Sequence, residues 1–324
     1  MACLLIIHES LYSTELFRLE FFLMKAVNST FLQGLLFLIL AQTMVGLNIV
    51  SSKYLVSSLP LLFMLALRFA LAAVILLPLH WLTPARQLSI RQHFSKLSKR
   101  DWFFILAQTL SAGVLFNCLM LLGLHYTDAN VAGIISSALP ATIALMSWLL
   151  LGEKISAKKS LCIVFATLGL IIIAYDKLTT LGLNHSFLGD FIILLSLLPE
   201  ATYYVLCKLH PNRLPVFLVS SLINGINALI LLPLLAFSPW NPLTLSAYNW
   251  FILVVLGLSS GLFYVFWYFG SQRVDGIMAS LSTAIMPIAT VLLAWLILGE
   301  QLTLLQAVGM GLVILSIAIY ARRA

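Results

Sequence analysis

The chain has 324 residues, of which 62% are hydrophobic and only 9% charged, and its mean hydropathy is +1.07. A soluble domain of this length cannot hide so much apolar surface in a core, so the solvent is a lipid bilayer. The formal net charge of +7 brings nucleic acid to mind, but the basic residues are placed by membrane topology, and no nucleic acid partner is expected.

Residues 1–30 mix apolar stretches with Glu9, Glu15 and Glu20 and lack the pattern of a signal peptide. They read as an amino-terminal extension, either upstream of a natural start at Met24 or forming a weak interfacial helix. A membrane helix then needs roughly 20 mainly apolar residues to cross about 30 Å of hydrocarbon. Ten stretches qualify: 31–51, 61–81, 102–123, 129–151, 158–175, 187–207, 216–237, 249–270, 276–298 and 304–321. The expected fold is all-α and integral to the membrane.

With the amino terminus in the cytoplasm, that side holds Arg18 and Lys25, the run from Arg86 to Arg100, Lys154, Lys158 and Lys159, Lys208 and Arg213, Arg273, and Arg322 with Arg323. Only Lys53 and Lys177 fall at the opposite face, and Arg68 lies within span 2. The asymmetry predicts that both termini are cytoplasmic, in an inner or plasma membrane.

The chain also repeats itself. Residues 123–175 lie over 270–322 without a gap, matching Gly123 with Gly270, Asp128 with Asp275, Pro140 with Pro287, Trp148 with Trp295, and Gly152-Glu153 with Gly299-Glu300. A second register brings Lys53 onto Lys208 and Leu-Leu-Pro-Leu at 76–79 onto 231–234. The two copies occupy 31–177 (spans 1–5) and 187–324 (spans 6–10). An odd number of spans per copy makes the second enter the bilayer upside down, giving ten helices as two inverted five-helix repeats, an arrangement of secondary transporters.

The segments from Ala138-Leu139-Pro140 to Leu151-Gly152-Glu153 and from Ile285-Met286-Pro287 to Leu298-Gly299-Glu300 resemble the paired signatures of EamA-type members of the drug/metabolite transporter superfamily. The resemblance covers residues 31–324. It departs locally where Cys162 stands opposite Gly309 and Gly169 opposite Ser316, which bears on helix packing. The resemblance implies a central cavity built from spans 1, 3, 4, 6, 8 and 9, with Asn48, Asn117, Tyr203, Tyr264 and Trp267 in contact with substrate.

Read physically, Gly152 and Gly299 are helix stops, since glycine accepts the left-handed conformation, and Ser156 and Thr303 cap the helices that follow. Glu153 and Glu300 then sit on turns near opposite faces, held by neighbouring amides or a cation, with a gate at each face as the functional alternative. Pro140 and Pro287 free carbonyls at Ser136 and Thr283 and suggest kinks at membrane depth. Ser280, Thr283 and Thr290 form a polar stripe on span 9, with Asn130 and Ser137 as counterparts on span 4. These residues either line a cavity or pack helix against helix.

Span 6 carries a carboxylate where one is costly. Ser196, Glu200 and Tyr203 share a face beside Pro199, and a charged group at mid-bilayer costs about 2.5–3.5 kcal/mol on insertion scales. Glu200 reads as a proton carrier, a ligand for a substrate ammonium, or half of a buried ion pair. Arg68 either reaches the outer face or binds a substrate carboxylate.

Other chemistries are set aside. Gly257-Leu-Ser259-Ser260-Gly261 matches the nucleophile elbow of hydrolases, but it lies within an apolar helix with no histidine at mid-span, so no catalytic residue is assigned. The four cysteines are scattered singly, and no metal or cofactor is expected. The reading is a secondary transporter that exports a small organic metabolite, amino acid or amphipathic compound by alternating access. An importer of the same fold, a lipid-handling membrane enzyme and a structural receptor subunit are the alternatives. Expected partners are the solute and membrane lipid, with a coupled proton and a second copy of the chain left open.

Overall fold

The computed structural model describes residues 29–321 apart from 53, 56–57, 125, 127–134, 137, 154–155, 179–185, 211–212, 236–244 and 300–301. Residues 1–28 of the extension, Asn130, Ser137 and Glu300 thus lie outside the described residues. Within them the chain is helical, with no strand. Eight helices are long and apolar enough to cross a membrane: Ser29–Ser52, Leu62–Leu82, Lys99–Met120, Phe187–Leu209, Val216–Pro233, Ala247–Ser271, Gly276–Ile297 and Leu304–Ala321. Leu139–Leu151 is a shorter apolar helix, and Ala157–Leu178 is a further helix of 22 residues. Each falls on one of the stretches picked out by hydropathy.

In chain order the helices are α1 (Ser29–Ser52), α2 (Leu61–Leu79), α3 (Ile90–Ser95) and α4 (Lys99–Gln108), which runs through a π-helical stretch (Thr109–Leu115) into α5 (Phe116–Leu124). There follow α6 (Leu139–Leu151), α7 (Ala157–Leu178), α8 (Phe187–Leu209), α9 (Val216–Leu235), α10 (Ala247–Ser271), α11 (Gly276–Ser282), α12 (Ile285–Leu298) and α13 (Leu304–Ala321).

Their ends have local causes. Gly152 and Gly299 both adopt φ of 68°, the left-handed stop expected after α6 and α12. The Ser98 hydroxyl accepts from the Asp101 amide while the Asp101 carboxylate accepts from the Ser98 amide, a capping box that opens α4. Thr303 and Gln306 make the same exchange before α13.

The prolines act differently from simple mid-helix kinks. Pro140 sits in the first turn of α6, where its missing amide costs nothing. In the second copy the break precedes Pro287: α11 ends at Ser282, and the amides of Thr283 and Ala284 bond back to Ser280 and Leu281 in tight turns before α12 begins. Pro199 lies inside α8, which continues through it to Leu209.

Two packing contacts organise the bundle. On α7 and α13, Gly169 meets the backbone and side chains of Gly309, Leu312 and Val313, and the Ser316 hydroxyl donates to the Cys162 carbonyl at 2.6 Å. Later residues of one helix meet earlier residues of the other, so the two run antiparallel. Both departures between the copies, Cys162 for Gly309 and Gly169 for Ser316, face each other across this seam. On α2 and α9, Leu65, Ala66 and Phe69 pack with Ala228 and Leu231, while Ser221 donates to the Ala73 carbonyl at 2.7 Å. Leu149, Leu168, Leu229, Trp295 and Leu296 are exposed outward, as suits a surface in contact with lipid tails.

Candidate functional site

A cavity of about 100 Å³ opens among α1, α2, α5, α8 and α10. It has room for several waters but is smaller than the few hundred Å³ a drug-sized ligand occupies. Asn48, in the last turns of α1, and Arg68, in the first turns of α2, put it toward the end of the bundle where those helices join. That is the end remote from the basic run between Arg86 and Arg100.

Arg68 organises one wall. Its Nη1 donates to Asn48 Oδ1 at 2.9 Å and its Nη2 to Asn117 Oδ1 at 3.3 Å, and the guanidinium lies 4.8 Å from the Phe69 ring centroid. Nε is buried with no hydrogen-bond partner, and among the described residues no carboxylate pairs with this cation. Asn48 is oriented in turn by donating to Ser260 Oγ at 2.6 Å and to the Leu256 carbonyl at 3.3 Å on α10. Asn117 is held by the π-helical stretch, donating to the Ala112 and Gly113 carbonyls where the α-helical ladder loosens. Such stretches recur at functional sites because they turn one side chain out of the regular register.

Glu200, on α8, lines the same cavity. Its Oε1 lies 3.5 Å from the Tyr204 hydroxyl, a distance at the limit of hydrogen bonding, and no ion pair joins it to Arg68. Aromatic rings separate the cavity from the rest of the core. Tyr203 meets Tyr264 edge-on at 5.6 Å between centroids, and Phe263 lies 5.1 Å from Tyr264. The result is a small pocket lined by a guanidinium, a carboxylate and tyrosines.

Of the residues singled out from sequence, Asn48, Arg68, Asn117, Glu200, Tyr203 and Tyr264 meet here. Trp267 does not reach the cavity; it is buried behind the wall with its ring 4.3 Å from that of Tyr204. Ser196 is buried and donates to the Ile193 carbonyl. Ser280 donates to the Pro140 carbonyl, Thr283 to that of Ser280 and Thr290 to that of Met286, so all three hydroxyls of the span 9 stripe bond backbone rather than line the pocket. Ser260 and Tyr204 also line the pocket. Ser260 shares a face of its helix with Tyr264, a spacing that reads either as cavity lining or as packing, whereas Tyr204 has no signal beyond its place beside Glu200.

Glu153 Oε1 accepts from the Gly276 amide at 2.9 Å, a partner 123 residues away in sequence. Nearby, Lys159 Nζ lies 3.2 Å from Asp275 Oδ2.

A family model described as the EamA-like transporter family matches this chain twice, over residues 32–175 and 187–322. The chain belongs to the EamA-like transporter family. Among curated proteins, this EamA-like transporter is 28% identical over 284 residues to the uncharacterized transporter YetK of Bacillus subtilis, spanning 85% of this chain and 82% of that protein. It is 27% identical over 300 residues to an uncharacterized transporter of Archaeoglobus fulgidus, covering 88% of this chain and 98% of its relative. A solved crystal structure shares the fold at a TM-score of 0.73 and 19% identity, over 91% of this chain and 98% of that one. The chain is thus a multi-pass membrane transporter.

Proposed function

We propose that this EamA-like transporter is a secondary carrier exporting a small organic solute that bears both an anionic and a cationic group, as an amino acid does, by alternating access between two inverted five-helix halves. The observation that carries this reading is the joint placement of Arg68 and Glu200 on one cavity with no ion pair between them. Unpaired charges are expensive inside a membrane protein and mark a site whose partner arrives from outside. Arg68, already forked onto two amide oxygens, offers its remaining donors to a carboxylate, and Glu200 accepts from an ammonium or carries a proton. The tyrosines add faces for an apolar or cationic portion of the solute.

The antiparallel contact of α7 with α13 supports the inverted arrangement. These helices hold equivalent places in the two copies, and the contacts of Cys162 with Ser316 and of Gly169 with Gly309 exchange equivalent positions, as a pseudo-two-fold axis requires. The basic residues support cytoplasmic termini. A reporter active only in the cytoplasm is expected to work when fused near residues 95, 156, 211 and 324 and to fail near 180 and 243; activity at 243 would remove the ten-span model. In proteoliposomes a carrier gives saturable, counterflow-sensitive flux. A lipid-handling enzyme would give product, and a receptor subunit neither.

A further inference from the structure

At the end of the bundle opposite the cavity, the short connection from α10 to α11 is seized by side chains from four other elements. Glu153, after α6, accepts from the Gly276 amide at 2.9 Å. Lys159 on α7 pairs with Asp275 at 3.2 Å, and the Tyr320 hydroxyl on α13 donates to the same carboxylate oxygen. Lys208 on α8 donates to the carbonyls of Ser271, at 2.9 Å, and Val274. Asp275 also accepts from the Met278 amide at 3.0 Å. Glu153 and Lys159 belong to the first sequence copy, and Asp275, Lys208 and Tyr320 to the second, so the cluster ties the two halves together.

Between this cluster and the cavity runs a closed column along α8 and α10. Tyr203, Cys207, Trp267, Tyr268 and Ser271 are all buried there, and the Tyr268 hydroxyl donates to Gln108. A core meant only to be stable has little use for so many polar atoms in a membrane bundle, whereas a pathway shut at one end carries them as its collapsed lining.

The energetics fit a contact that opens. The Lys159 and Asp275 side chains are 29% and 37% exposed, and pairs so exposed add little to stability. The ion pair at the centre of the cluster is thus specific in geometry and weak in energy, as a step that breaks and re-forms in each transport cycle requires.

We propose that Glu153, Lys159, Lys208 and Tyr320, closing on Asp275 and Gly276, form the latch that keeps the path from the cavity to the basic face shut in this state, and that its release admits solute from that face. This rests on the carrier reading above, in which the basic face is cytoplasmic. Gly276 is part of the device: a Cβ there would stand 2.9 Å from both Glu153 carboxylate oxygens and 3.0 Å from Ser147 Oγ, so one added methyl pushes the carboxylate off the amide.

The test reads conformation without any transported solute. In a background with the native cysteines replaced, Ser271→Cys reports on the buried column, with Val274→Cys as a second position should the first fail to insert. Inside-out vesicles are exposed to a membrane-impermeant maleimide. With the latch intact the introduced thiol is expected to react slowly. Adding Glu153→Ala, Asp275→Asn or Gly276→Ala should each raise its labelling rate roughly tenfold at unchanged protein level, whereas Glu300→Ala, the same change in the other copy, should not raise it. Slow labelling in all three latch variants, or an equal rise with Glu300→Ala, would overturn the latch. A positive labelling result with no flux of any zwitterion would instead remove the substrate reading and leave the latch standing.

Discussion

Glu200→Gln is expected to leave the protein folded and inserted while abolishing driven transport. The amide keeps the size of the carboxyl and can still meet the Tyr204 hydroxyl 3.5 Å away, so no hole opens in the wall. What is lost is the ability to titrate and to hold a cation. Counterflow separates the two roles. A residue that only carries protons leaves solute exchange intact after neutralisation, whereas a ligand for the solute ammonium loses exchange and binding together. Glu200→Asp retains partial activity, because it keeps the charge and withdraws it by about one methylene. Transport by Glu200→Gln equal to that of the parent across pH 5 to 8, roughly the range that brackets buried carboxyl groups, would make Glu200 a structural residue.

Gly309→Ala should force α7 and α13 apart. A Cβ at Gly309 would fall 2.6 Å from the Gly169 carbonyl oxygen and 3.1 Å from the Ile173 amide nitrogen, both backbone atoms that cannot turn aside. The helices must part along the seam where small residues let them touch, and overpacking of this kind costs about 1–3 kcal/mol. Gly311, on the same helix, has nothing within 4 Å of an added Cβ. Gly311→Ala therefore gains helix propensity, about 1 kcal/mol, with no clash. Thermal unfolding in detergent should show a lower midpoint for Gly309→Ala and an unchanged or higher one for Gly311→Ala; the same midpoint for both would contradict the seam.

The contrast between those two glycines illustrates what a single chain reveals of its fold. Hydropathy and the repeated Leu-Gly-Glu disclose the helices and their stops because both are local: Gly152 and Gly299 end helices by their own backbone freedom. Arg68 and Glu200 stand out because charge within an apolar run has to be explained wherever the run packs. Ser280 and Thr283 show the limit of spacing. It groups them on one face but does not say that backbone carbonyls will take their hydroxyls. The Asp275 cluster was out of reach, since its partners lie on helices far apart in sequence and meet only after packing. Asn117 owes its orientation to a π-helical stretch that the composition of Thr109–Leu115 does not announce.

The measurement closest to the central claim is counterflow in proteoliposomes loaded with a mixture of neutral amino acids, with trace labelled mixture outside and competition by analogues capped at one end. If Arg68 and Glu200 are the two poles of one site, the labelled zwitterions accumulate, and neither the N-acetylated nor the esterified analogues compete at concentrations where the parent compounds do. Accumulation that both capped analogues suppress as well as the parent compounds, or that survives in Arg68→Ala and Glu200→Gln alike, would contradict it.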